Sequence, residues 1–313
     1  MYYIGVDLGG TNIAIGLVNE QAEIVHKASI KTNLPRPAED MLRDISQLIL
    51  RVCDEAKVSI DEVASIGVGL PGSCDCANGV LVYACNLGYE NVSFKNEIHK
   101  YIDKPVYIEN DANVAALAEY IKTGKHMECF VAVTLGTGVG GGVIINGKIF
   151  SAFNGAGAEL GHTVMVADGE QCSCGRKGCW EAYASATALI RQTKAEMAKC
   201  PDSIMHEMCG GDMSKVGGRT AFDAAKKGDA AGQRVVDNYI RYVAEGITNM
   251  INIFQPEGLV IGGGVCNEGS YLLDPIVDYV AKHQYVKKLK TTEISIAKLG
   301  NDAGIIGAAM LGI

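Results

Sequence analysis

One short pattern occurs twice in this chain of 313 residues. Val6-Asp7-Leu8-Gly9-Gly10-Thr11 and Val133-Thr134-Leu135-Gly136-Thr137-Gly138 both read as strand, Leu-Gly, a turn of small residues, then strand. The repetition argues for one supersecondary unit used once in each of two domains. The length agrees, because it exceeds the usual span of one hydrophobic core. An apolar share of 48% can fill two cores. The 38 glycines are clustered rather than periodic, which favours tight backbone turns over collagen-like or low-complexity chain.

Strands are expected at Tyr2–Asp7, Asn12–Asn19, Glu23–Thr32, Val63–Leu70 and Pro105–Glu109. Between them, Met41, Ile45, Leu48, Ile49 and Val52 fall on one face of a helix over Ala38–Lys57. A second Ala-rich helix is expected at Ala112–Lys122. A second strand set follows: Phe130–Leu135, a glycine loop Gly136–Gly142, and a return at Val143–Ile145 into the Asn146-Gly147 turn. The chain is then mostly helical to Phe254, with a loop around Gly210–Gly218. Strands at Gly258–Val265 and Thr292–Lys298 and a small-residue helix at Asp302–Leu311 close it.

The two repeated turns suit an anion. Glycine permits positive φ and close approach, so backbone N–H groups can point at phosphate oxygens. Gly9, Gly10 and Thr11 form the first turn, and Thr134 with Gly136, Thr137 and Gly138 the second. Neither is a Walker loop, and neither fits the dinucleotide G-x-G-x-x-G pattern at the head of a helix. Asp7 ends the first strand where it could hold Mg²⁺ through water. The plain alternative is a pair of ordinary hairpin turns.

Asn110-Asp111 stands where a strand meets a helix. Capping is the plain reading, and Asp is a good N-cap. The functional reading is a carboxylate that accepts the proton of an attacking hydroxyl in phosphoryl transfer, with Mg²⁺ and backbone amides carrying charge.

His162, Cys172, Cys174 and Cys179 form an H-x9-C-x-C-x4-C array. Three thiolates and one imidazole complete a tetrahedral zinc shell with no open position, so such a zinc is structural. It would tether Glu159, His162 and Glu181. The imidazole gives zinc one nitrogen, and its other nitrogen must find an acceptor such as a ligand hydroxyl. A CxC can arise by chance among eleven cysteines, and the Cys74/Cys76 pair reads that way.

A net charge of −8, spread along the chain, disfavours nucleic acid and anionic membrane as main partners. The run Cys129–Gly147 is uncharged but glycine-rich, so no membrane span is expected. No signal peptide is expected either, since Asp7 interrupts the start. An odd, irregular cysteine set suits a reducing cytoplasm better than a disulfide framework.

Together these segments resemble the ROK family (repressors, open reading frames and sugar kinases). The resemblance rests on Asp7–Thr11, Gly67–Gly72, Glu109-Asn110-Asp111-Ala112-Asn113, Thr134–Gly142, Ala158–His162, Cys172–Glu181 and Gly262–Gly264. It implies an α/β, actin-like (ribonuclease H-like) ATPase fold: two α/β domains around a cleft, with a structural zinc knuckle. The expected division is a small domain over 1–111, completed by the helix at 299–313, and a large domain over 112–298 carrying the knuckle and a dimer interface.

The glucokinases are the nearest branch by resemblance. They imply ATP-dependent phosphorylation of a hexose, D-glucose to glucose 6-phosphate first, in a cytoplasmic homodimer. Asp111 would be the base. Asn110, Asp111, Glu159, His162 and Glu181 would bind sugar hydroxyls. Asp7, Gly9–Thr11, Thr134 and Gly136–Gly138 would serve Mg²⁺ and the ATP phosphates, with Gly262, Gly263 and Gly264 near the adenosine. Other acceptors in the family are N-acetylmannosamine, N-acetylglucosamine, fructose, allose and mannose. The family also holds repressors with a helix-turn-helix ahead of the first glycine turn, and only six residues precede Asp7 here. A non-catalytic sugar-binding regulator is the remaining alternative. Ser73-Cys74-Asp75-Cys76 departs from the family pattern.

Overall fold

The computed structural model describes Met1–Ile313. The chain groups into two units. The first holds Met1–Met127, Gly142–Ala158 and Lys298–Ile313, and the second Glu128–Gly141 and Glu159–Ala297.

The first unit runs β1 (Tyr2–Leu8), β2 (Asn12–Asn19), β3 (Ile24–Lys31), α1 (Ala38–Glu55), β4 (Val63–Leu70), β5 (Ser73–Asp75), β6 (Val80–Ala84), β7 (Tyr89–Ser93), α2 (Phe94–His99), β8 (Val106–Asn110) and α3 (Asp111–Lys122). Its main sheet has the order β3-β2-β1-β4-β8. The first two pairings are antiparallel hairpins, and β1/β4 and β4/β8 are parallel.

Successive strand residues face opposite sides. Ile4, Val6 and Leu8 therefore pack into one buried core, which also takes Met41, Leu42, Ile45, Ile49 and Val52 of α1. Gly5 and Gly67 face the other side, against α10 (Ala303–Ala309). A Cβ on Gly5 would lie 1.9 Å from the Ile305 carbonyl oxygen, and one on Gly67 1.8 Å from that of Ala308. Glycine is required there because the helix lies on the strand backbone.

The second unit opens with β9 (Cys129–Leu135) and the start of β10 (Val139–Ile145), whose end lies in the first unit beside β11 (Lys148–Ile149). After the Cys-rich segment come α4 (Glu181–Ala184), α5 (Ala186–Lys199), α6 (Met205–Met208), α7 (Thr220–Lys226), α8 (Ala230–Phe254), β12 (Gly258–Gly262), α9 (Ser270–His283) and β13 (Glu293–Ile296). The sheet through β9 and β10 has the order β11-β10-β9-β12-β13, with β9/β12 and β12/β13 parallel. The two sheets share one topology, so the repeated turn marks a duplicated sheet and not merely a duplicated hairpin.

Trp180 is fully buried, and its indole N–H donates to the Tyr242 carbonyl of α8 at 2.9 Å. Gly246, one turn further on, is the residue that lets the ring reach the helix: a Cβ there would be 1.9 Å from Trp180 Cε2. No helix is long and apolar enough to cross a membrane.

Two expectations need correction. The chain does not divide at residue 111, because α3 packs on α10 and β8 and so stays in the first unit. The glycine loop is shorter than 136–142: Gly140, Gly141 and Gly142 belong to β10. Those glycines serve close strand packing, since a Cβ on Gly141 would meet Leu160 Cδ1 at 2.5 Å and one on Gly142 would meet Ala116 Cβ at 2.6 Å. The small sheet β5-β6-β7 and α2 had no counterpart in the sequence reading.

Candidate active site

In the first unit the candidate residues gather at the C-terminal ends of parallel strands, where open α/β sheets bind ligands. Asp7 pairs in register with Gly69, and Gly69 with Glu109. Asn110, not Asp111, is the N-cap of α3: its Oδ1 accepts from the amides of Ala112 at 2.9 Å and Asn113 at 3.3 Å. Its Nδ2 donates to the Gly72 carbonyl at 3.3 Å. Asp111 is the first helical residue and is solvent-exposed, with Oδ1 accepting the Ala112 amide at 2.8 Å. Asn110 occupies the cap position, and the Asp111 carboxylate beside it is exposed.

Asp7 is more enclosed. Burial, and then the charge of Asp111, raise its carboxyl from 3.8 to about 6. A divalent cation beside Asp7 would offset both effects, so this donor suits Mg²⁺ with waters. Gly304 keeps the approach open, since a Cβ there would stand 2.6 Å from Asp7 Cγ. The first glycine turn is closed by Gly9 N–H donating to Asn12 O at 2.9 Å, with Gly10 and Thr11 exposed at its tip.

In the second unit, Gly136 N–H donates to Gly138 O at 3.0 Å, and the start of α5 braces the same turn. The Ala186 amide donates to Gly136 O at 2.8 Å and the Thr187 hydroxyl to Thr137 O at 2.7 Å. Thr134 is in register with Gly262, so the second glycine turn and Gly262–Gly264 leave neighbouring strand ends. Gly263 has φ 101°, and a Cβ there would meet the Leu135 carbonyl oxygen at 2.2 Å. Two glycine-rich chain segments thus leave neighbouring strand ends, with Thr137, Gly263 and Gly264 exposed.

The Cys-rich segment converges as its spacing requires. One ligand atom from each of His162, Cys172, Cys174 and Cys179 lies within 4.8 Å of all the others. Cys174 Sγ is 3.7 Å from Cys179 Sγ, and Cys172 Sγ is 3.6 Å from His162 Nδ1. A zinc tetrahedron with ordinary bond lengths has S···S edges of about 3.8 Å and S···N edges of about 3.6 Å. The separation is also far beyond a disulfide bond. The donor set therefore fits zinc, with His162 turning Nδ1 inward and leaving Nε2 as the outward N–H. Without a cation, burial and the neighbouring thiols push Cys179 upward, the resistance to ionisation that a bound zinc overcomes.

Glu181, the first residue of α4, links this knuckle to the glycine turn. Its Oε2 accepts the Val139 amide at 3.0 Å, and its Oε1 accepts the Ser173 hydroxyl at 2.8 Å. Glu159 precedes the 3-10 turn Leu160–His162, is exposed, and does not cap that turn with its side chain. Gly161 lets that turn lie on β10, since a Cβ there would meet the Val139 carbonyl oxygen at 2.1 Å.

The ROK family model matches residues 3–313. The chain belongs to the ROK family. It is 37% identical to the glucokinase of Thermotoga maritima over 310 residues, which covers 98% of this chain and 96% of that protein. It is 36% identical to the glucokinase of Halalkalibacterium halodurans, covering 99% and 94%. Among solved structures it resembles a ROK family glucokinase from Streptomyces griseus in complex with glucose and AMPPNP, at 32% identity, TM-score 0.81 and 99% coverage of both chains. The fold is the two-domain α/β, actin-like ATPase class of ROK kinases.

Within this ROK chain, the first unit brings together Asp7, Gly9–Thr11, Asn110 and Asp111. The second brings together Thr134–Gly138 with Gly262–Gly264, and His162 and Glu181 with the thiols, with Glu159 exposed just before the His162 turn. Sequence reasoning missed the residues that hold these in place: Glu109, Ser173, Val139, Thr187 and Gly304. Glu109, Val139 and Ser173 stood inside segments that carry the family resemblance, there without a role of their own.

Proposed function

We propose that this chain transfers the γ-phosphoryl group of MgATP to a hexose, with D-glucose the preferred acceptor and the 6-hydroxyl the attacking group. The observation that carries the reading is the division of labour at Asn110 and Asp111. Asn110 caps α3, and the exposed Asp111 carboxylate beside it is the group to accept the proton of a sugar hydroxyl as the oxygen attacks. The similarity to glucokinases over nearly the full length supports the same reading.

The remaining roles follow from chemistry. Glu159 and Glu181 offer carboxylate oxygens, and His162 an outward Nε2–H, to sugar hydroxyls, while Asn110 offers its amide. The turns Gly9–Thr11 and Gly136–Gly138, closed by the Gly9 and Gly136 amides and exposed at Gly10, Thr11 and Thr137, suit the ATP phosphates, and Gly262–Gly264 the nucleoside. Asp7 would hold Mg²⁺, which neutralises phosphate charge when bound. Zinc would be structural. The same reading includes a homodimer, tested by light scattering at micromolar concentration, and a cytoplasmic location.

The test is ADP release from MgATP across hexoses and N-acetylhexosamines. Glucose should give the highest kcat/KM. A higher value for N-acetylmannosamine or another hexose would move the substrate, and no turnover with any sugar would remove the kinase reading.

A further inference from the structure

Glu109 is 6% exposed, at the end of β8. A buried carboxylate is costly unless its oxygens are satisfied. Its recorded hydrogen-bond donors are all neutral. Oε1 accepts the Asn110 amide at 2.9 Å and Asn113 Nδ2 at 3.0 Å, and Oε2 accepts the Cys76 thiol at 3.4 Å.

We propose that Glu109 is a positioning residue for Asp111, fixing the strand-to-helix turn from which that carboxylate projects. This rests on the reading of Asp111 as the base.

The hydrogen bonds bracket Asp111 in sequence. On its N-terminal side the Asn110 amide is held by Glu109, and the Asn110 side chain by the capped amides and Gly72. On its C-terminal side Asn113 is held by the same Glu109 oxygen. Asn113 is itself confined: a Cβ on Gly142 would lie 3.1 Å from its Oδ1 and 3.1 Å from its Cα. One carboxylate oxygen thus joins residues 110 and 113, the two sides of the residue that must be aimed. At 6% exposure and with two donors already on Oε1, Glu109 has little surface with which to touch a sugar itself. The Cys76 thiol fixes the rotation of the carboxylate by holding the other oxygen. This gives Cys76 a use without metal or disulfide chemistry.

The test compares Glu109→Ala and Glu109→Gln with Asp111→Asn, measuring kcat per folded site, the KM of sugar and ATP, and melting temperature. Glu109→Gln keeps an oxygen that can accept from both Asn110 and Asn113. It should retain kcat within about threefold of wild type, because geometry rather than charge is preserved. Glu109→Ala frees both donors and should lower kcat by about 10²-fold while leaving the ATP KM unchanged. A purely structural residue would instead lower the melting temperature and leave kcat per folded site alone.

Wild-type kcat in a folded Glu109→Ala protein overturns the proposal. So does a folded Glu109→Gln protein as impaired as the Ala variant, since charge would then be what matters. If Glu109→Ala does not fold, Asn113→Ala carries the test: kcat should fall about tenfold or more, and an unchanged kcat refutes it. Turnover retained by Asp111→Asn would sink the underlying reading of the base, a result separate from any outcome at Glu109.

Discussion

Glu181 accepts the backbone amide of Val139 at 3.0 Å while its other oxygen accepts the Ser173 hydroxyl at 2.8 Å. The carboxylate expected only to grip sugar therefore also fastens the glycine turn to the knuckle, and the two roles separate by substitution. Glu181→Gln can keep its oxygen on the Val139 amide and turn its NH2 to Ser173, so the ATP KM should stay near wild type. The sugar KM should rise by the equivalent of about 1.5–3 kcal/mol as a charge-assisted bond is weakened. Glu181→Ala leaves the Val139 amide unpaired and should raise both KM values. Steady-state kinetics with each substrate varied decide it. An unchanged ATP KM in the Ala variant would detach Glu181 from the glycine turn.

Asp111→Asn should fold normally, because Asn110 supplies the cap. The amide cannot accept the proton, so kcat should fall by about 10²–10⁴-fold, with sugar affinity weakened much less. Circular dichroism and sugar binding measured alongside turnover check both halves. A variant with a third of wild-type turnover would remove Asp111 from the mechanism.

The strands, the duplicated turn and the Cys-rich array were legible because each obeys a local rule. Alternating or buried apolar runs gave β1, β4 and β9, and ligand spacing gave the knuckle. What was not legible depends on residues far apart in sequence. Nothing local shows that Gly141 must clear Leu160, so Gly140–Gly142 read as loop when they are strand. Nothing local shows α3 packing on α10, from the far end of the chain, so the division was placed too early at 111. The Asn110–Asp111 pair was ambiguous, since both residue types cap well. The hydrogen bonds of Asn110 decide it.

Asp7 gives a pH signature. Its carboxyl is raised from 3.8 to about 6 by burial and by Asp111, so the folded state holds that proton more tightly than the unfolded state. Its contribution to stability is fully present below pH 3.8 and is lost as pH rises through about 6. The full penalty is about 3 kcal/mol at most. Asp7→Asn, always neutral, should melt above wild type at pH 8 and level with it at pH 4, without Mg²⁺ or nucleotide. MgATP should raise the melting temperature of wild type more than that of the variant. A difference between the two proteins that does not change with pH would rule out ionisation of Asp7 as its source.

Gly246→Ala places a methyl group 1.9 Å from Trp180 Cε2, inside a helix whose own preference favours alanine. Overpacking of a fully buried indole should prevail, with a net loss of about 1–3 kcal/mol seen in denaturant unfolding. A stabilised variant would show that the ring can withdraw freely.

The knuckle should bind one zinc per chain and act on the sugar without touching it. His162 presents Nδ1 to the thiols, so zinc would fix the ring and leave Nε2–H outward. Ser173 lies between two ligands and donates to Glu181, so the same fold of chain also holds that carboxylate. Cys174 is exposed and its loss opens no large core cavity. Cys174→Ser should therefore lose the metal, melt at a lower temperature and show a raised sugar KM. Structural zinc is worth ~10–16 kcal/mol in small peptides, and even part of that would order this loop-rich segment. The ATP KM should rise as well, because Glu181 carries the disturbance to the Val139 amide. Metal content by elemental analysis, melting curves and both KM values form the test. Normal sugar affinity in a metal-free variant, or no stoichiometric metal in the wild type, would leave the segment an ordinary loop and Glu181 anchored by protein contacts alone.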